Sequence, residues 1–331
     1  MADNSEVLIL ADPESNVWGY ANAVYNEVKM IESERGSCGF RLGEVKIARF
    51  PDGEFEPKIA SNCRRREVFF ISDTSQDPSR WLVELMFVND AARRGSADKI
   101  TDVFPYMRWS RGEKKDKPHI PITTKVVMDV LSAPNCASHA DRLMMLDLHA
   151  DAIAGFTNLP VDALHSFNYL TSYLRKSHPE IADYVIVAPD NGGVKRARAF
   201  ARRLESGLEV AVIDKERRNG ESVEVYNVIG DVAGRDCIIV DDILSSALTL
   251  KRARQALGRK GARSVKWVAT HFLGVGNYKN NLAGLDAGFT TDSFFHTREE
   301  LCGAEVVSSA PLFAEAIYRS VSGESISDLF K

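Results

Sequence analysis

Cys237-Ile-Ile-Val-Asp-Asp-Ile-Leu-Ser-Ser-Ala-Leu-Thr-Leu250 sets an apolar run ahead of two carboxylates, then small hydroxyl residues, then a helical pattern. Residues 237–240 suit a strand buried on both faces, as in a parallel sheet. Asp241 and Asp242 then fall at its carboxyl end, and in open α/β sheets ligands bind in the crevice outside that end. Ser245, Ser246 and Thr249 offer hydroxyls, and the turn into a helix over 250–257 offers backbone N–H groups that can hold a phosphate. The two Asp residues can accept hydrogen bonds from vicinal sugar hydroxyls, so a sugar phosphate fits the stretch from both ends. The alternative is a buried strand whose Asp pair merely caps the next helix.

The chain has 331 residues; at about 150 residues per domain that length predicts two domains. With 44% hydrophobic and 27% charged residues it is an ordinary globular chain with ample core. A formal charge of −4 gives no sign of a nucleic-acid or membrane surface. The five Cys (38, 63, 136, 237, 302) are odd in number, scattered and without a CxxC, which points to reduced thiols in a reducing compartment. No apolar run approaches about 18 residues and no basic-plus-apolar leader precedes Val7, so a soluble cytoplasmic protein is expected.

The pattern elsewhere alternates strand and helix. Strands are expected over 7–11, 44–50, 67–73, 100–106 and 142–148, and helices over 16–33, 80–94 and 123–131, the second with Leu82, Leu85, Met86 and Val88 inward. Residues 156–164, with Pro160, read as a connection, and the domain junction falls near residue 165. The second half repeats the alternation: helix 167–176, strand 184–188, helix 195–204, strand 209–214, a turn over 230–235, strand 265–271, two short strands over 289–292 and 306–308, and a terminal helix over 311–320. Strands alternating with helices mean a mainly parallel α/β sheet in each half.

Charged and polar groups collect at the strand ends. Phe50-Pro-Asp-Gly-Glu54 carries a turn signal. Arg108, Arg111, Lys114, Lys115 and Lys117 follow strand 100–106; they can neutralise a polyphosphate, and Arg108 or Trp109 can stack on a base. The alternative is a solvated loop. His149, beside Asp147 at a strand end, suits a metal ligand or a nucleotide phosphate contact, against the alternative of a structural histidine. In Pro189-Asp-Asn-Gly-Gly-Val194 two glycines allow a ligand close to the backbone, and Asp190 can hold Mg²⁺. Lys215 and Arg217, two apart after strand 209–214, would point the same way and can close over a transferring phosphoryl group.

Taken together, these motifs resemble those of the ribose-phosphate diphosphokinases, or phosphoribosyl diphosphate synthetases. The similarity runs from about residue 5 to about residue 320. Phe50-Pro-Asp-Gly-Glu54 is similar to the family's Phe-Ser-Asp-Gly-Glu. Asp147-Leu-His-Ala150 with Gly155-Phe156 and Pro160-Val-Asp162 is similar to its Asp-Leu-His-Ala, Gly-Phe-Phe and Pro-Val-Asp. Pro189-Asp-Asn-Gly-Gly-Val-Lys-Arg-Ala197 resembles Pro-Asp-Ala-Gly-Gly-Val-Lys-Arg-Ala, and Asp214-Lys-Glu-Arg217 resembles Asp-Lys-Arg-Arg. Asp241-Asp242 takes the place of its Asp-Asp-x-x-Asp-Thr-x-Gly-Thr sugar-phosphate loop.

The resemblance implies transfer of the β,γ-diphosphoryl group of ATP to the anomeric hydroxyl of ribose 5-phosphate. It implies two phosphoribosyltransferase-like α/β domains, residues 1–165 completed by about 307–331 on the ATP side, and 166–306 with the ribose 5-phosphate loop. By the same matching Phe50, Asp52 and Glu54 contact adenine from a neighbouring subunit, Arg108 and Trp109 with His149 meet the ATP, and His149 and Asp190 serve Mg²⁺. Lys215 and Arg217 would stabilise the transferring group, while Asp190, Asp241, Asp242, Ser245, Ser246, Ala247, Leu248 and Thr249 would hold ribose 5-phosphate. The family commonly forms dimer-based hexamers, controlled by phosphate and ADP. Departures are Ser245 for the family's loop Asp, Ser246 for its Thr, Leu248 for its Gly, and Arg108-Trp-Ser110 for Arg-Gln-Asp, with three extra residues before Lys114. A Leu at a left-handed Gly position would cost roughly 1–2 kcal/mol. The alternative to an active enzyme is therefore an impaired paralogue that regulates an active synthetase.

Overall fold

The computed structural model describes residues 6–133, 139–204, 210–217 and 224–330, leaving aside the side chains of 215–217, 224, 225, 328 and 330. By contact the chain divides into two compact units, Met1–His165 with Ser309–Lys331, and Ser166–Ser308.

Unit 1 begins with β1 (Val7–Ala11), five consecutive buried residues that place it inside a parallel sheet. Then come α1 (Val17–Arg35), β2 (Phe40–Arg49), β3 (Phe55–Ile59), β4 (Glu67–Ile71), α2 (Pro78–Arg94), β5 (Lys99–Phe104), α3 (Thr123–Leu131), β6 (Arg142–Leu146) and β7 (Val161–Leu164). The sheet order is β3-β2-β1-β4-β5-β6-β7, parallel except for the β2/β3 hairpin. Besides the edge strand β3, which the pattern did not announce, two features depart from expectation. Residues 161–164, read as connection, form the edge strand β7, because the chain after Pro160 pairs in parallel with β6. On α2 the buried face is Trp81, Glu84, Leu85, Val88, Asn89 and Ala92, so two polar residues go inward while Leu82 and Met86 are only half-buried. The start of α2 is fixed locally: the Asp77 side chain accepts from the N–H of Ser79 and Arg80, and Pro78 needs no donor there.

Unit 2 runs α4 (Phe167–Ser177), β8 (Val185–Ala188), α5 (Val194–Arg203), β9 (Val210–Arg217), β10 (Glu224–Ile229), β11 (Asp236–Leu244), α6 (Leu248–Arg259), β12 (Ser264–Phe272), α7 (Tyr278–Leu282), β13 (Gly288–Thr291) and β14 (Glu305–Val307). Its sheet order, β10-β9-β8-β11-β12-β13-β14, repeats that of unit 1 seven strands on, again with one antiparallel hairpin at the edge. Residues 237–240 do lie in a strand between two parallel neighbours, β8 and β12. That strand, however, continues to Leu244, so Asp241 and Asp242 stand within it, and α6 starts at Leu248 rather than Leu250. Likewise β9 reaches Arg217, which puts Lys215 and Arg217 on a strand paired with β10 instead of on a loop; their side chains lie outside the described residues.

The last helix, α8 (Ala310–Ser322), returns to unit 1, with Pro311 in its first turn and Gly323 in the left-handed region at its end. It packs on α1. Tyr20 and Ser309 share a 2.9 Å hydrogen bond, and the Tyr20 and Phe313 rings meet edge to face at 6.1 Å.

Candidate active site

In unit 1 the predicted residues share the carboxyl edge of the sheet but not one spot on it. Phe50, Asp52 and Glu54 form the tip of the β2/β3 hairpin. Phe50 N–H donates to Glu54 O (2.9 Å), Glu54 N–H donates to Asp52 Oδ1 (3.0 Å), and Gly53 supplies the φ of +92° that the turn requires. The Phe50 ring is half exposed, and a groove of about 460 Å³ opens beside it, lined also by Arg49, Phe55, Ser79, Arg80 and Val83. Arg108 and Trp109 follow β5, three strand positions from β2, a separation of roughly 14 Å at the usual strand spacing. His149 follows β6, one position further.

Arg108 is anchored rather than waving. Its Nη2 donates to Gln76 O at 2.6 Å, its guanidinium lies 5.8 Å from the Tyr106 ring centroid, and burial lowers its pKa. The Trp109 ring packs 6.0 Å from that of Trp81 at the rim of the core, and its carbonyl accepts from Thr124 Oγ1 (2.6 Å). The Trp109 ring is thus half-buried, covered on one side by its own unit. The lysines that follow are exposed. Past β6, Asp147 takes a left-handed φ of 37° and contacts His165 Nδ1 through Oδ1 at 3.4 Å; Leu148 turns into the core and His149 is left half exposed.

Unit 2 gathers its predicted residues on three adjacent strands, β9, β8 and β11. After β8, Asp190 Oδ1 accepts from Gly193 N–H (2.8 Å), which leaves its exposed second oxygen for a cation. Asn191 Nδ2 donates to Asp214 Oδ1 (2.8 Å), tying this loop to β9 just before Lys215. On β11, Asp241 Oδ1 accepts from Asp242 N–H and Asp242 Oδ1 from Ile243 N–H, both at 2.9 Å. Burial, and then the adjacent Asp242 carboxylate, raise the Asp241 pKa well above the usual range.

The turn that follows is braced from behind. Ser245 O accepts from Val275 N–H (3.1 Å) and Ser246 O from Asn281 Nδ2 (2.9 Å). No side chain caps α6, so the amides of its first turn point outward beside Ser245, Ser246 and Thr249, an arrangement suited to an anion. Ala247, not Leu248, carries the positive φ (59°), so the strain expected of Leu248 is not there; Leu248 is 41% exposed on the rim.

One residue here was not foreseen. Arg196, on α5, reaches both carboxylates, with Nη1 3.2 Å from Asp241 Oδ1 and Nη2 2.9 Å from Asp242 Oδ2. It sits in the run Lys195-Arg-Ala-Arg198, in which nothing in the sequence marks one cation above the others, except that it precedes the fully buried Ala197. Among the described residues, no three His, Cys, Asp or Glu side chains are gathered to cage a metal. The donors present fit a hard cation that keeps waters and phosphate oxygens as its main ligands.

Residues 21–134 match the model for the N-terminal domain of ribose phosphate pyrophosphokinase, and residues 166–292 match the phosphoribosyl transferase domain. A ribose-phosphate pyrophosphokinase of Campylobacter jejuni is 38% identical, over 87% of this chain and 91% of its own length. That of Agrobacterium fabrum is 41% identical, over 87% and 92%. The crystal structure of phosphoribosylpyrophosphate synthetase from Mycobacterium smegmatis superposes with a TM-score of 0.81 at 28% identity, covering 96% of this chain and all of that one.

Proposed function

We infer the reaction from a plain premise: this chain belongs to the ribose-phosphate pyrophosphokinase family. It is an enzyme that transfers the diphosphoryl group of ATP to O1 of ribose 5-phosphate, giving phosphoribosyl diphosphate and AMP. The observation that carries this for the chain's own residues is the grouping on β8, β9 and β11 of a carboxylate pair, an uncapped helix start, a cation-ready Asp190 and the strand bearing Lys215 and Arg217.

The first-turn amides of α6, with Ser245, Ser246, Ala247, Leu248 and Thr249, receive the 5-phosphate. Asp241 and Asp242 accept from the ribose 2- and 3-hydroxyls and so fix where O1 points. O1 attacks the β-phosphorus of ATP while the bond from that phosphorus to the α,β-bridging oxygen breaks and AMP departs with the oxygen. Lys215 and Arg217 meet the negative charge spread over the group in flight. Such transfers need mainly positioning and charge neutralisation. Arg108 and His149 meet the nucleotide in unit 1. Mg²⁺, served by His149 on the nucleotide side and Asp190 on the ribose side, neutralises phosphate charge when bound.

Phe50, Asp52 and Glu54 serve the adenine of a neighbouring subunit. A dimer-based homo-oligomer, hexameric in this family's manner, goes with that shared site. Among the described residues no helix is long and apolar enough to cross a membrane.

The test is direct. Purified protein with Mg²⁺, ATP and ribose 5-phosphate forms AMP and phosphoribosyl diphosphate, and Lys215→Ala lowers the rate by about 10²–10³-fold. No AMP above background, with or without inorganic phosphate, refutes the reading in favour of a regulatory subunit.

A further inference from the structure

Asp241 and Asp242 are neighbours on one strand, held close by the hydrogen bond from the second residue's N–H to the first one's carboxylate. Side chains of successive strand residues ordinarily diverge to opposite faces. Here both carboxylates instead reach one guanidinium, which spans them with a different nitrogen on each, at 3.2 and 2.9 Å. The three groups are largely out of water: the side chains of Arg196, Asp241 and Asp242 are 23%, 21% and 7% exposed. Two carboxylates so placed repel, and one would keep a proton near neutrality unless a cation sat between them.

We propose that Arg196 is a positioning residue for ribose 5-phosphate: its fork holds both carboxylates ionised side by side, so that each offers an oxygen to the sugar diol. This rests on the reading of Asp241 and Asp242 as the diol acceptors. Burial and Asp242 push the Asp241 carboxyl up on balance, and Arg196 is the cation that opposes them. β8, beside β11, contributes only Val185, Ile186, Val187 and Ala188, and from β12 His271 directs its Nδ1 to Ser293 Oγ (2.8 Å). Arg196 is thus a cation that reaches both members of the pair. A planar fork spans two carboxylates in a way a lysine ammonium cannot.

A protonated carboxyl would meet a hydroxyl as a donor and lose one acceptor, so removing Arg196 should make sugar binding depend on pH. The experiment measures KM for ribose 5-phosphate, KM for ATP and kcat between pH 6.5 and 9 for wild type, Arg196→Gln and Arg196→Lys. Ratios to wild type at each pH cancel the substrate's own phosphate titration. For Arg196→Gln, KM for the sugar should rise about tenfold or more at pH 6.5 and return to within about threefold at pH 9. KM for ATP should stay within about twofold throughout, and Lys should restore part of the loss. A sugar KM ratio that is flat with pH, or one matched by an equal rise in KM for ATP, overturns the inference.

Should Arg196→Gln fail to fold, calorimetry of ribose 5-phosphate binding to wild type at pH 8, in buffers of different ionisation enthalpy, decides it. Net release of less than about half a proton per site supports a pair already ionised, and release of about one proton overturns it. Wild-type protein that binds no ribose 5-phosphate sinks the underlying site reading as well, which separates the two failures.

Discussion

Replacing Ala247 or Leu248 by glycine tests where the strain of the sugar-phosphate turn resides. Ala247 is the residue in the left-handed region, and it is buried. A residue with a Cβ pays roughly 1–2 kcal/mol there, which Ala247→Gly removes. Against this stand a freer unfolded chain, about 0.4–1 kcal/mol, and the lost burial of one methyl, about 0.8 kcal/mol. The effects nearly cancel, so Ala247→Gly should leave stability unchanged to within about 1 kcal/mol. Leu248 is not among the positive-φ residues, opens α6 and is substantially exposed. Glycine there relieves nothing and forfeits helix propensity, destabilising by about 0.5–1 kcal/mol. Thermal unfolding resolves this, since 1 kcal/mol moves the Tm of a unit this size by about 2–4 °C. A higher Tm for Leu248→Gly than for wild type would refute the placement of the strain at Ala247. Adding Ser245→Asp to Leu248→Gly and measuring KM for ribose 5-phosphate then asks whether the altered turn limits sugar binding.

Three further outcomes are expected. The carboxyl of Glu84 is pushed by burial from its ordinary 4.5 to about 7, so the folded state holds a proton that the unfolded chain releases; stability present below pH 4.5 is lost as pH rises to about 7, by at most about 3 kcal/mol. Glu84→Gln should abolish that slope, and urea midpoints with the same pH dependence in both proteins would contradict it. At Gly288 an added Cβ would lie 2.1 Å from the buried Trp267 ring, so Gly288→Ala should cost about 1–3 kcal/mol in urea unfolding; a midpoint within error of wild type would show that the indole moves freely. Asn191→Ala removes the tie from the Asp190 loop to Asp214, and a loss of about 1 kcal/mol of positioning predicts a kcat lower by several-fold with KM for ATP unchanged. An unaltered kcat would show that Lys215 is placed without that tie.

Much of the fold was legible because a central parallel strand is an uninterrupted apolar run. Strand Val7–Ala11 falls where the pattern puts it, as does the amphipathic helix Thr123–Leu131. The edges were not legible. β3, Phe-Glu-Pro-Lys-Ile, mixes charges with a proline that only an edge strand tolerates, and β7 is four residues long behind another proline. On α2 Leu85 and Val88 go inward as expected but Leu82 and Met86 do not, and propensity cannot foretell that Glu84 and Asn89 would take the buried face. In the site, the pattern put Asp190 just after one strand and Asp241 and Asp242 at the end of another, and these strands, β8 and β11, prove to be neighbours. It could not pick Arg196 from its basic neighbours, because the choice depends on how α5 lies against β11. Nor could it tell that Ala247 rather than Leu248 bends back, since that follows from the carbonyls of Ser245 and Ser246 being held by Val275 and Asn281.

The covering of α1 by α8 bears on the order of events at the ribosome. Tyr20 and Arg35 emerge early, yet their partners Ser309, Phe313 and Glu315 come after the entire inserted unit. At about 5–20 residues per second that delay is on the order of tens of seconds. Throughout it the nascent first unit presents an oily flank to whatever is nearby. The inserted unit, continuous in sequence, can finish folding while its host is still waiting for its final helix.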